Sequence, residues 1–593
     1  MPGFDGLEGT EGTRGAGFRI IHSAAVEKFQ RLISPSLLTI AAAACLIIAT
    51  MLLVIVWLSF TDGIPGDPDL KYTLQNYRDV LLDPSTYQII GNTLVFACVT
   101  LVVAMGLGLP LAWLVERTDL PGKTLILTLM TLGLLIPGFS VALGWVFLLN
   151  ERIGILNRFL MQAFSLHAAP LNIATLPGMG CVEGISLAPV VFIMTSTVLR
   201  AIDYSFEEAA LSAGATWWIV IRRITFPLAR PGIVAAGIYV LVIGFGAFDV
   251  PAVIGLGGRI YTFSTFMYTQ VNSNEGLPKF GTAACLSVIM GFAALALTWW
   301  YNKMQGQTPR YAVVTGKAYR FRPVQLGHWR PVAIGFIAIF FFVAQAFPAL
   351  VLVWTSCLPF LQTPSVAAIA QLSLQNYWNL PSDFVLPALR NTAVLMIAVP
   401  TITLVVSFAI SWSVMRSSFR YRRIFDFFAF LPHAIPSIVF AVATWLLSLF
   451  VLAKFVPAYG TIWLLIAVYA VVRLSYGTRV LNSALIQIHR ELEESATMSG
   501  ATLWGIIRRI LVPLLYPTLS YSWIWIALLT YRELTLPVVL ASSDSRPMAV
   551  VVWSLISSAS YGQASAVAVL MLLLMVPIVS LYWIAARRMG PQM

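Results

Sequence analysis

The chain has 593 residues, 59% of them hydrophobic and only 10% charged, with a formal net charge of +12. So much apolar surface has no place in a soluble fold of this length, so the composition excludes a soluble enzyme and indicates an all-α membrane protein. The excess of Lys and Arg then reads as membrane topology, with lipid and not nucleic acid as the surrounding partner.

In chain order, residues 1–35, which open MPGFDGLEGTEGTRGAG, read as a disordered cytoplasmic tail. Apolar runs of about 20 residues, enough to cross a bilayer, begin near residues 36, 90, 124, 184, 231, 281, 331, 391, 427, 462, 515 and 563, which predicts twelve spans. The first run is too long for a signal-peptide core and lacks a small-residue cleavage site, so it is expected to stay as a helix. With the N-terminus inside, most of the 37 Lys and Arg fall on the cytoplasmic side. The linker from 303 to 330 has six basic residues and no acid, while the first outer loop sets Asp62, Asp67, Asp69, Asp79 and Asp83 against Lys71 and Arg78. Both termini are thereby assigned to the cytoplasm and the chain to a cytoplasmic (inner) membrane.

Five cysteines, at 45, 98, 181, 285 and 357, show no metal-ligand spacing, and only Cys181 is assigned to an outer loop. The LPGKT at 120–124 has Arg117 where a phosphate-binding loop needs its first glycine, and it reads as a tight cytoplasmic turn. No catalytic group, metal or cofactor is assigned to this chain. If ATP drives the protein, another chain binds it.

The sequence repeats itself. LQNYRDVL at 74 returns as LQNYWNLP at 374, Asn92 and Thr93 return as Asn391 and Thr392, and LLIPGFS at 134 has a looser echo in FLPHAIPS at 430. The offset shrinks from 300 (residues 74 and 374) to 286 (207 and 493), most of it in an outer loop that is long at 149–183 and short at 453–461. The expected domains are a first repeat at 36–302, the basic linker at 303–330 and a second repeat at 331–593, six spans each. Six is even, so the repeats enter the membrane in the same direction and leave a pathway between two bundles.

The firmest repeat is EEAALSAGATWWIVIRRITFPLARPG from 207 and EESATMSGATLWGIIRRILVPLLYPT from 493, both on the inner side by the count of spans. Glu207, Glu208, Ala209 and Ala210 start a helical segment, Gly214 permits a sharp turn, and the Trp and Arg that follow predict an interfacial helix that Pro227 stops. Glu493, Glu494, Ser495, Ala496, Gly500 and Pro513 repeat the pattern, and the acidic and small residues suit docking on a soluble partner. The spacing E-[AS]-A-x3-G-x9-I-x-[FLV]-P resembles the EAA loop of permease subunits in binding-protein-dependent ABC importers, with Ser495, Phe226 and Val512 as small departures. The resemblance covers nearly the whole chain, with both halves fused. It implies that Glu208 to Gly214 and Glu494 to Gly500 dock two ATPase subunits, which carry ATP and Mg, and that a solute-binding protein docks outside.

Ionisable residues within spans are costly and are functional candidates. Asp249, in FGAFDVPAVIG, and Arg532 with Glu533, in YRELTLPVVLA, are placed in the fifth span of each half as candidates for lining the pathway. Arg532 and Glu533 read equally as a pair that satisfies itself, Arg473 as a snorkelling or interhelical residue, and His433 as a packed histidine. The REL followed by Leu-Pro resembles fused permeases assigned to ferric-iron uptake; thiamine, phosphonate and polyamine permeases are the alternatives within the family. A secondary transporter without an ATPase is the alternative class, against which stand the paired EAA loops and the few acids available for a proton relay.

Overall fold

The computed structural model describes residues 35–63, 70–272, 278–305, 323–417 and 420–588. The tail, Asp67 and Asp69 of the first outer loop, and most of the basic linker lie outside them. The first half contains α1 (Pro35–Ser59), α2 (Pro84–Arg117), α3 (Lys123–Gly133), α4 (Gly138–Leu149), α5 (Leu176–Ala201), α6 (Ser205–Ser212), α7 (Trp217–Gly246) and α8 (Phe280–Gln305). The second contains α9 (Gly327–Ser356), α10 (Ser382–Met415), α11 (Arg422–Ala434), α12 (Ser437–Phe450), α13 (Ile462–Gln487), α14 (Arg490–Met498), α15 (Leu503–Tyr531) and α16 (Tyr561–Arg588). Among the described residues eleven helices are long and apolar enough to cross a membrane, twelve if α3 and α4, bent by 92°, form one span.

Local chemistry explains the repeated motifs. Asp83 caps α2: its carboxylate accepts from the Ser85 amide at 2.9 Å and hydroxyl at 2.7 Å, bonds that hold it below the ordinary carboxylate range. In the LQNY motif, Asn76 Nδ2 donates to the carbonyls of Ser59 and Thr61 at the end of α1, and Asn376 Nδ2 does the same to Ser356 and Leu358 at the end of α9. These bonds satisfy carbonyls that a helix end leaves open. Pro137 and Pro436 mark the break of the third span in each half, with extended backbone (ψ 126° and 145°) just before α4 and α12.

Two local expectations fail. Pro227 and Pro513 do not stop a helix: α7 and α15 run unbroken through them, from Trp217 and from Leu503 into the membrane. The helix widens first, into a π turn at Ile221–Thr225 and at Ile507–Leu511, so that Phe226 N–H bonds Ile221 and Val512 N–H bonds Ile507, five residues back. A proline one position later lacks its own N–H and crowds the carbonyl four residues back, and the wider turn absorbs both defects. The same device precedes Pro348 in α9, where Phe347 N–H bonds Phe342. Cys181 lies within α5 and not in a loop, because Thr175 caps that helix and Pro177 fits its first turn; its thiol is free.

Within each half the long helix packs along its partner, α2 on α5 and α10 on α13, with α7 and α15 against the same pairs. The first span of each half crosses over. α1 packs on α10 and α12 of the second half, and the last part of α9 packs on α4 of the first. Two separate buried apolar clusters therefore each draw residues from both halves. Large exposed apolar side chains such as Leu46, Leu53, Val102, Phe292, Ile339 and Val405 lie on the spans, where lipid takes the place of water.

Candidate coupling and pathway sites

The repeated loops fold alike. α6 and α14 are short helices that end in Gly214 (φ +86°) and Gly500 (φ +83°), a left-handed conformation in which a side chain costs about 1–2 kcal/mol. Nothing stands within 4 Å of a Cβ at either position, so backbone conformation and not crowding demands glycine. Trp218 and Trp504, 71% and 69% exposed, and the exposed Arg222, Arg223, Arg508 and Arg509 follow at the start of α7 and α15.

The two glutamates of each loop separate. Glu208 and Glu494 are half-buried beside exposed Ala209 and Ser495, with Ala210 and Ala496 half-buried. Glu207 and Glu493, read from sequence as part of the docking face, instead turn inward and are buried. Glu493 Oε1 lies 2.8 Å from Nε of Arg416, whose Nη2 also donates to the carbonyls of Leu485 (3.0 Å) and Ile488 (2.8 Å). Glu207 Oε1 lies 3.2 Å from Nε of Arg117 and accepts from the Thr225 hydroxyl at 2.7 Å. Arg117 also reaches the Ile202 carbonyl at 3.4 Å and lies 4.0 Å above the Tyr204 ring. Burial pushes the Glu493 carboxyl above the usual carboxylate range, against the pull of Arg416. Sequence reading met Arg117 only as a defect in a phosphate loop and passed over Arg416. The signal was the shared placement of both at the end of the long helix of a repeat.

At the interface of the halves, Asp249, Arg532 and Glu533 are not inside the fifth spans but just past their ends, where α7 stops at Gly246 and α15 at Tyr531. The structure brings Asp249 and Arg532 together across the halves. Thr535 Oγ1 donates to Asp249 Oδ1 at 3.4 Å, and these residues are 286 apart, the offset of the repeat itself. Residues related by a twofold meet only at its axis, so the pseudo-axis passes between them. Arg532 Nη1 donates to the carbonyl of Leu134, exposed by the break between α3 and α4, and the guanidinium lies within electrostatic reach of Asp249 and Glu183. Glu533 pairs with Arg473 at 2.5 Å, side chains 11% and 16% exposed, and also stays within electrostatic reach of Arg532. Arg473 is thus an interhelical residue and does not snorkel. His433 stacks on Tyr239 (5.7 Å between rings) and is packed. Among the described residues no group of three or more His, Cys, Asp or Glu is arranged to hold a metal ion.

Comparison with known proteins agrees with this doubled arrangement. Residues 104–305 and 403–591 each match the family described as binding-protein-dependent transport system inner membrane component. An Fe(3+)-transport system permease protein of Haemophilus influenzae is 24% identical over 84% of this chain and 89% of its own length. A ferric transport system permease protein of Actinobacillus pleuropneumoniae is 25% identical over 85% of this chain and 72% of its own. The molybdenum transport system permease protein of Escherichia coli is 26% identical over 38% of this chain but 96% of its own, so one half here matches nearly all of that protein. With the family matched once in each half and the EAA helices repeated at one face, this chain belongs to the binding-protein-dependent transport system inner membrane components, as a fused, multi-pass permease of an ABC importer.

Proposed function

We propose that this permease imports ferric iron, received from a solute-binding protein on the face opposite the EAA loops and delivered to the cytoplasm on the loop side, where both termini lie. One observation carries the mechanism: two copies of the EAA helix, each with an exposed small residue beside a half-buried glutamate, present equivalent surfaces. Equivalent surfaces call for equivalent partners, so two ATP-hydrolysing subunits dock, one at Glu208 to Gly214 and one at Glu494 to Gly500. ATP binding draws those subunits together, the docked helices follow, and the bundles rock to open the axis between Asp249 and Thr535 to the far face. This chain hydrolyses nothing and carries the path alone. Iron, the cargo, is suggested by what the two long relatives are named for; the match to a molybdenum permease is shorter in this chain.

Radiolabelled ferric-iron uptake in a permease-deleted strain tests the cargo. The wild-type chain should restore uptake by about tenfold or more over the empty vector. If ferric iron is not restored while molybdate, thiamine, phosphonate or a polyamine is, the cargo is that solute and the iron assignment is wrong.

A further inference from the structure

The inward-turned glutamates have a counterpart at the other end of the same long helices. Near the start of α2, Asn92 Nδ2 donates to the carbonyl of Tyr261 at 3.1 Å, and Thr93 Oγ1 accepts from the amide of Phe263 at 2.8 Å. Near the start of α10, Asn391 Nδ2 donates to the carbonyls of Asp544 (2.8 Å) and Arg546 (3.2 Å), and Thr392 Oγ1 accepts from the amide of Met548 at 2.9 Å. The segments so held are the ones that follow the axial break at Asp249 and at Arg532 to Thr535. At the other end, Arg117 pairs with Glu207 of α6 and Arg416 with Glu493 of α14. The Asn and the Arg are 25 positions apart in both halves (92 to 117, 391 to 416). At 1.5 Å per residue that is about 38 Å along one continuous helix. Each 34-residue helix is therefore fastened at both ends, to the coupling helix of its own half and to the segment that follows the axial break.

We propose that α2 and α10 are levers that carry displacement of the EAA helices to the far side of the axis, with Arg117 and Arg416 as the positioning residues at the driven end and the Asn-Thr pairs at the working end. The inference rests on the docking of ATPase subunits at the EAA helices. A buried ion pair suits this task because it is directional: the Arg416 guanidinium fixes three acceptors at once, which an apolar contact of the same volume cannot do. The pairs need not be there for stability, since apolar replacements of buried ion pairs are often neutral or stabilising.

That difference supplies the test. The Arg416→Met/Glu493→Leu double variant, and its counterpart Arg117→Met/Glu207→Leu, are expressed with the ATPase subunits. The complex is reconstituted in proteoliposomes, and solute imported per ATP hydrolysed is measured beside the amount of ATPase retained on purification. The expected result is retention of the ATPase with at least a tenfold fall in solute imported per ATP. Thr93→Val/Thr392→Val, which leaves the driven end untouched, should lower the same ratio. Retention of the ATPase with an unchanged ratio in the apolar pairs overturns the lever. Failure of the wild-type chain to retain any ATPase overturns instead the docking on which it rests. If the apolar pairs do not assemble, the threonine pair decides: an unchanged ratio there equally overturns the lever.

Discussion

Reversing charge at both docking helices, with Glu208→Lys and Glu494→Lys together, lowers solute uptake on the order of 100-fold at equal membrane level, and each single change has a smaller effect. Both carboxylates lie on the half-buried side of helices whose neighbours, Ala209 and Ser495, are small and exposed. Lysine there changes the local charge by two units and inserts a long side chain where a partner must approach closely, so like-charge repulsion and steric exclusion act together. Neither glutamate belongs to the buried Arg117 or Arg416 pair, so the variant leaves both pairs in place. Uptake and co-purified ATPase should fall together while the thermal transition stays within a few degrees of wild type. Wild-type uptake by the double variant would mean that these helices do not couple to anything.

The second large effect is on stability. Glu533→Leu removes the partner 2.5 Å from Arg473 and leaves the Arg473 and Arg532 guanidinium groups in the bundle interior with less counter-charge. Breaking a buried pair from one side costs about 3–5 kcal/mol, whereas replacing both members with apolar groups is often harmless. Glu533→Leu should therefore lower the detergent-solubilised unfolding temperature by several degrees, and Arg473→Met added to it should recover most of the loss. Two-sided replacement that is worse than the single change would show that Glu533 and Arg473 have separate partners that matter more than each other.

The spans and the repeat were legible because they depend on composition and on order along the chain. Twelve apolar runs and the shared LQNY, Asn-Thr and EAA motifs are visible in one sequence; eleven of the runs correspond to spanning helices among the described residues, and the run near 124 folds as the bent pair α3 and α4. What escaped depends on distance. Arg416 and Glu493 are 77 residues apart, and nothing local to either identifies the other. Arg117 was visible only as a misfit in a pattern it has no part in. Pro227 and Pro513 were misread because the rule that proline ends a helix omits the wider turn that tolerates it. The crossing of α1 and α9 onto the opposite halves leaves no trace in hydropathy, since a lipid-facing and a protein-facing apolar helix read alike. The Asp249 and Thr535 contact was latent in the 286-residue offset, but only the fold reveals which of the many pairs at that offset sits on the axis.

The most direct test of the account is the native mass and composition of the permease purified in mild detergent from its own cells with nucleotide present. One 65.1 kDa chain carrying two copies of an ATP-hydrolysing subunit is the predicted assembly. A chain that purifies without any such subunit, and that still moves its solute into vesicles lacking ATP, would contradict it.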